Sequence, residues 1–151
     1  MRQTKSLWRA GTLLMTAMVA ALVLGSGVAL AALVEGNDRG NQLTGTNHAD
    51  TIRAYAGNDL VWALSGRDRL YGGSGSDHLY GNGYGDAIYG GTGQDRLYGG
   101  YGDDHLVSRD LNGRGIGQRD VVDCGAGYDT FAADLEDRVL ANCEEGSVVG
   151  S

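Results

Sequence analysis

Aspartate returns in this chain every nine residues, at Asp50, Asp59, Asp68, Asp77, Asp86, Asp95 and Asp104. A carboxylate repeated at a constant interval presents a hard oxygen donor in one kind of place, again and again. Calcium takes six to eight such oxygens from carboxylates, backbone carbonyls and water. The residues ahead of several of these aspartates are rich in glycine. Gly72-Gly73-Ser74-Gly75-Ser76 precedes Asp77, Gly90-Gly91-Thr92-Gly93-Gln94 precedes Asp95, and Gly99-Gly100-Tyr101-Gly102-Asp103 precedes Asp104. Glycine tolerates φ > 0 and has no Cβ, so the carbonyls of such a stretch can turn toward one point. A single Asp behind glycines reads as a turn former. Seven in register read as a series of cation sites.

The elements that must position them follow from the same interval. Written in nines from Gly36, the chain runs GNDRGNQLT, GTNHADTIR, AYAGNDLVW, ALSGRDRLY, GGSGSDHLY, GNGYGDAIY, GGTGQDRLY and GGYGDDHLV, tiling residues 36–107 without an insertion. Position 6 is Asp in every block but the first, which has Asn41. Position 8 is always aliphatic: Leu43, Ile52, Val61, Leu70, Leu79, Ile88, Leu97 and Leu106. Side chains alternate along a strand, so a short strand over positions 7–9 buries position 8 alone, and positions 1–6 form the turn. Such a strand cannot bury itself. Stacked coils of two blocks each are predicted to set Leu70 between Ile52 and Ile88, and Leu79 between Val61 and Leu97. The same stacking divides the aspartates into two columns, one of Asp50, Asp68, Asp86 and Asp104, the other of Asp59, Asp77 and Asp95. Position 9 carries Trp62, Tyr71, Tyr80, Tyr89 and Tyr98, predicted to form two outward aromatic ladders. Position 7 carries Arg69, His78, Arg96 and His105 and reads as a solvated face.

Three blocks, starting at Gly72, Gly90 and Gly99, match G-G-x-G-x-D-x-U-x at every fixed position. This pattern resembles the RTX, or haemolysin-type, calcium-binding repeat family. The resemblance spans residues 36–107 and implies an all-β, right-handed parallel β-roll, a solenoid of nonapeptide repeats holding several calcium ions. Its implied ligands are the carboxylates and turn carbonyls of two stacked turns. On this sequence they are Asp50, Asp59, Asp68, Asp77, Asp86, Asp95 and Asp104, with Gly72, Ser74, Ser76, Gly90, Thr92, Gln94, Gly99, Tyr101 and Asp103. The early blocks depart from the pattern. Arg39, His48 and Tyr84 replace the position-4 glycine, and the blocks starting at Ala54 and Ala63 lack both leading glycines. The turns from Gly66 to Asp104 are the best candidates, and Asn41 is not expected to mark a site. Aspartates one strand spacing apart, about 4.8 Å, repel without a cation. The core is thin and glycine loses much entropy on folding. Calcium binding and folding are therefore expected to be one event.

Composition narrows the function classes. The chain has 151 residues, 19 acidic against 12 basic, for a net charge of −7. That balance argues against nucleic acid, whose phosphates call for a basic face. Collagen is excluded, because 27 glycines come with no proline and no three-residue period. No G-x-S-x-G, H-E-x-x-H or Cys/His pair is present, and no stretch is left over for a catalytic domain, so the expectation is a protein that is not an enzyme. Two classes stay open. One is a calcium-binding module working outside the cell. The other is a cell-surface or matrix structural protein that grips a polysaccharide or cell-surface partner through its aromatic face, with calcium only as scaffold.

The two ends read differently from the repeats. Residues 1–32 carry Arg2, Lys5 and Arg9, then no charge from Ala10 to Leu33, with Gly25-Ser26-Gly27 ahead of Ala29-Leu30-Ala31. This is the layout of a secretory signal peptide. The apolar run is also long enough for a membrane anchor, the alternative if it is not cleaved. Either way the remainder is expected outside the cytoplasm, secreted or anchored. Without the leader, 9 basic residues face 19 acidic ones. Residues 108–151 form the other end. The phase breaks across Ser108–Arg114, and two degenerate blocks, GIGQRDVVD and CGAGYDTFA, keep Asp120 and Asp129 at position 6 and Val122 and Phe131 at position 8. One further coil is expected there, followed by a C-terminal cap in AADLEDRVLANCEE. Cys124 and Cys143 lie 19 residues apart without zinc-site spacing, and in an oxidising compartment they are expected to tie that cap to the last coil. The ending resembles that of small secreted RTX-repeat proteins.

Overall fold

The computed structural model describes residues 19–20, 31–110 and 118–149. The leader reading falls almost wholly outside them. The chain forms strands β1 (Val19–Ala20), β2 (Leu33–Asn37), β3 (Gln42–Thr44), β4 (Thr51–Ala56), β5 (Leu60–Trp62), β6 (Arg69–Ser74) and β7 (His78–Gly83). These are followed by β8 (Ala87–Thr92), β9 (Arg96–Tyr101), β10 (His105–Val107), β11 (Val121–Ala126), β12 (Thr130–Asp134), β13 (Arg138–Val139) and β14 (Glu145–Val149). No helix of the described residues is long and apolar enough to cross a membrane.

Even-numbered strands from β2 to β14 make one sheet, with β1 antiparallel at its edge, and odd-numbered strands from β3 to β13 make the other. Within each sheet the strands of the winding pair in parallel and in constant register. Ile52 faces Leu70, Leu70 faces Ile88, and Ile88 faces Leu106. On the opposite sheet Val61 faces Leu79 and Leu79 faces Leu97. The chain thus alternates sheets at each nonapeptide and returns every 18 residues, winding a solenoid of about six turns.

The core is the set of position-8 side chains. Val34, Leu43, Ile52, Leu70, Leu79, Ile88, Leu97, Leu106 and Val122 are all 0 % exposed. Each such aliphatic contributes about 1.5–3 kcal/mol on burial. One per nonapeptide is a thin core for so much glycine to be ordered against.

Most strands are longer than positions 7–9. In β6 to β9 and in β11 the ladder continues through position 3 of the next block. Alternation then turns position 1 inward as well, where Gly72, Gly81, Gly90 and Gly99 are buried alongside Ala54, Ala63 and Cys124. The turn proper is correspondingly shorter than six residues.

Past Val107 the return step lengthens from 18 to 25 residues, as in the pairing of Leu106 with Phe131. The extra length falls at residues 108–120, and the next return steps are 17 residues, from Val121 to Arg138, and 15 residues, from Thr130 to Glu145. The C-terminal segment covers the end of both sheets. Its β13 adds to β11 and its β14 adds to β12, so it is a further turn of the solenoid. Cys124 and Cys143 are joined, with Cα atoms 5.2 Å apart, fastening that turn to the buried core.

Candidate metal centre

The turns ahead of Asp59, Asp68, Asp77, Asp86, Asp95, Asp104 and Asp129 are each shaped by two left-handed residues. Gly73 and Gly75 have φ of 107° and 128°, and the same two places recur at Gly91 and Gly93. Glycine enters that region without a Cβ penalty. Position 1 is special for another reason: a Cβ on Gly72 would collide with the Gly90 carbonyl oxygen and with Asp77 Oδ2. At Gly81 the colliding atoms would be Asp86 Oδ2 and the Gly99 carbonyl oxygen. In these two turns, then, a carboxylate oxygen and a carbonyl oxygen from the next coil converge on the same small space.

The position-6 aspartates are buried, at 0–3 % exposure from Asp50 to Asp104. One oxygen of each is committed to the stack. The Asp59 N–H donates to Asp77 Oδ1 at 2.8 Å, and the Asp77 N–H to Asp95 Oδ1 at 2.9 Å. In the other column Asp68 donates to Asp86 at 2.8 Å and Asp86 to Asp104 at 2.7 Å. Hydrogen bonds to a charged acceptor stabilise by about 1.5–3 kcal/mol each, so these two ladders hold successive coils together.

The second oxygen is a different matter. Oδ2 of Asp59, Asp68, Asp77, Asp86, Asp95, Asp104 and Asp129 is buried and has no hydrogen-bond partner. A buried charge without a partner carries an effective penalty of several kcal/mol. Burial accordingly pushes the carboxyl pKa up to about 6 at Asp68, Asp77 and Asp104, and to about 7 at Asp86 and Asp95. The ladder N–H opposes the rise in each, and a neighbouring aspartate adds to it.

These oxygens fit a hard cation. A carboxylate oxygen without a proton donor, facing a carbonyl oxygen, offers only acceptors, which is what Ca²⁺ coordinates and what a soft thiolate-seeking metal does not. Among the described residues no three His, Cys, Asp or Glu side chains come together as a ligand set. Most ligands of any bound ion would therefore be backbone carbonyls.

The sequence-expected residues divide on this geometry. Asp59, Asp68, Asp77, Asp86, Asp95 and Asp104 all present the unpartnered oxygen, and the Gly90 and Gly99 carbonyls converge on two of them. The Ser74 and Thr92 carbonyls accept the N–H of Gly57 and Gly75, each at 2.8 Å. The Ser76 N–H donates to Asn58 Oδ1, and Asp103 Oδ1 accepts from the Tyr128 N–H. The side chains of Gln94 and Tyr101 are exposed. Asp50 stands apart, because its second oxygen is taken by Thr46.

The ladders also reach residues outside the nonapeptide phase. Asp95 donates to Asp120 and Asp104 to Asp129, each at 2.8 Å, so the position-6 role survives the insertion. Asp137 and Glu144 then accept from Asp120 and Asp129 and close the two columns. The degenerate blocks flagged Asp120 and Asp129. Asp137 and Glu144 fall in no repeat phase, and no sequence signal marks them.

Outside the turns, the position-9 rings stack as two ladders. Tyr80 and Tyr98 lie 4.6 Å apart with planes 3° from parallel, Trp62 and Tyr80 6.3 Å apart, and Tyr71 and Tyr89 5.1 Å apart. At position 7, Arg96 Nη1 meets His78 Nε2 at 2.8 Å.

Two parallel sheets wound from nonapeptides, with columns of buried turn carboxylates, define a β-roll of the acidic-turn kind. Residues 44–79 and 80–112 match the family described as RTX calcium-binding nonapeptide repeat, in four copies. RTX calcium-binding nonapeptide repeats are thus detected in residues 44–112. No curated protein matches it.

Proposed function

We propose that this protein is an exported β-roll whose acidic turns bind several calcium ions and whose folding depends on them. The observation that carries the reading is the row of buried, unpartnered carboxylate oxygens running from Asp59 to Asp104. A stack that leaves them unpaired is penalised at every turn, and a divalent cation removes the penalty at the point where the carbonyls already converge. Binding and folding are then linked, because the ligands of two turns come together only in the wound chain. The repeat solenoid is a binding and structural fold, and we read this chain as a binding module and not an enzyme.

Export rests on separate support. The Cys124–Cys143 disulfide suits an oxidising compartment, where calcium is also plentiful. The Arg2 to Ala31 segment has the layout of a secretory leader, with a retained anchor as the alternative. The aromatic face does not favour a polysaccharide-gripping role. Tyr80 is sandwiched between Trp62 and Tyr98, its faces turned to its neighbours, so a sugar would meet its edge.

Far-UV circular dichroism tests the proposal. The purified protein, freed of metal by chelation, is titrated with calcium and in parallel with magnesium. A coil-to-β transition on calcium alone is expected. A β spectrum indifferent to chelator would make the aspartates turn formers and overturn the calcium-dependent folding.

A further inference from the structure

Two turns break the rule that the rest obey. At Asn41, the side-chain oxygen accepts the Asn37 N–H at 2.7 Å. At Asp50, Oδ2 accepts the Thr46 N–H, and the Thr46 hydroxyl donates to it as well at 2.9 Å. The other oxygen, Oδ1, accepts the Ala32 N–H at 2.8 Å, so the Asp50 carboxylate has donors on both sides. Asp50 is 2 % exposed, yet no oxygen of it is left over.

The backbone explains the difference. Asn37 and Thr46 occupy position 2 of their blocks. From the third block onward, position 2 is left-handed in every block where it is among the described residues: Tyr55 (φ 76°), Leu64 (82°), Gly73 (107°), Asn82 (73°), Gly91 (103°), Gly100 (112°) and Gly125 (103°). Each of these seven is followed four residues later by an aspartate with an unpartnered Oδ2: Asp59, Asp68, Asp77, Asp86, Asp95, Asp104 and Asp129. Asn37 and Thr46 are not left-handed, and their N–H groups turn inward onto position 6. The correspondence has no exception among these nine turns. When position 2 is left-handed the carboxylate oxygen is open, and when it is not the backbone closes the turn.

We propose that the first coil is a metal-free cap, closed by the Asn37 and Thr46 backbone and the Thr46 hydroxyl where later coils are closed by calcium. The inference rests on the calcium reading of the later turns. The loss of charge at Asn41 agrees with it, since an amide needs no cation. It also removes Asp50 from the ligand set that the nonapeptide pattern assigns. The solenoid then has an N-terminal end that does not depend on metal, on which the calcium-bound coils stack.

Native mass spectrometry of the calcium-saturated protein tests this with three chains: wild type, Asp50→Asn and Asp68→Asn. Asp50 and Asp68 belong to the same column on adjacent coils. Asp50→Asn is expected to carry as many calcium ions as wild type, and Asp68→Asn at least one fewer. Loss of an ion from Asp50→Asn overturns the proposal. So does an unchanged count in Asp68→Asn, since an unpartnered oxygen would then not mark a ligand. A wild-type chain carrying no calcium at all is a separate result: it overturns the parent reading first. If Asp50→Asn does not fold, anomalous diffraction from calcium in wild-type crystals puts the same question. Density beside Asp68 with none beside Asp50 upholds the metal-free cap, and density on the Asp50 carboxylate rejects it.

Discussion

Asp77→Asn should change sign with the buffer. Asp77 is fully buried, with Oδ1 accepting the Asp59 N–H at 2.8 Å and Oδ2 unpartnered near the Gly72 Cα and the Gly90 carbonyl. Asparagine keeps the ladder acceptor and replaces the open oxygen by an amide NH₂, which can donate to that carbonyl. Without metal the exchange removes a buried charge and adds a neutral hydrogen bond of about 0.5–1.5 kcal/mol. With calcium it removes a charged ligand. Losing an ion present at a hundred times its Kd costs about 2.7 kcal/mol. At roughly 4 °C per kcal/mol for a chain of this size, the Tm should fall by about 10 °C in calcium and rise by about 4 °C in chelator. Thermal circular dichroism at pH 8 reads both, with an excluded osmolyte added to bring the chelated transition into range. Asp77→Ala is the control. It also strips the acceptor from the buried Asp59 N–H, at about 1–3 kcal/mol, and should destabilise in both buffers. Equal destabilisation by Asp77→Asn in both buffers would show that Asp77 acts as a structural acceptor only.

Other expectations follow from the same geometry. Burial raises the folded-state carboxyls from 3.8 to about 6 at Asp77, about 7 at Asp86 and about 8 at Asp120. The calcium-free fold therefore holds more protons than the unfolded chain, and its stability, full below pH 3.8, drains away as pH rises through 6 to 8. Chelated protein should show more β structure at pH 5 than at pH 8, and calcium affinity should climb with pH over that interval; the opposite trend in either would count against the open carboxylates. Cys143→Ser should lower stability by about 3 kcal/mol and speed hydrogen exchange in β13 and β14, while calcium-dependent folding of the earlier coils persists. Tyr84→Gly relieves a left-handed tyrosine at φ 75°. A left-handed L-residue costs about 1–2 kcal/mol and the added chain entropy of glycine offsets about 0.5–1 of that relief, so urea unfolding should show a net gain of up to about 1.5 kcal/mol.

Much of the winding was legible because side-chain type and period coincide. Leu70 between Ile52 and Ile88, and Leu79 between Val61 and Leu97, follow from one aliphatic per nine residues. The inward turn of position 1 was hidden because its usual residue, glycine, has no side chain to enter a hydrophobic pattern. The small residues Ala54, Ala63 and Cys124 at that place are the trace it left. The ladder ends at Asp137 and Glu144 were not legible, since tertiary pairing and not spacing puts them there. Nor could position 2 be read. Leu64 and Thr46 are both side chains that disfavour the left-handed region, yet Leu64 is held in it and Thr46 is not. Only the hydrogen bonds around each turn decide which carboxylate stays open.

Whether the unpartnered oxygens are calcium ligands is decided by a crystal structure grown in calcium, with anomalous data. Density is expected about 2.3–2.6 Å from Oδ2 of Asp77, Asp86, Asp95 and Asp104, with carbonyl oxygens of the next turn completing the shell. Those same oxygens found without an ion at saturating calcium would contradict their role as ligands.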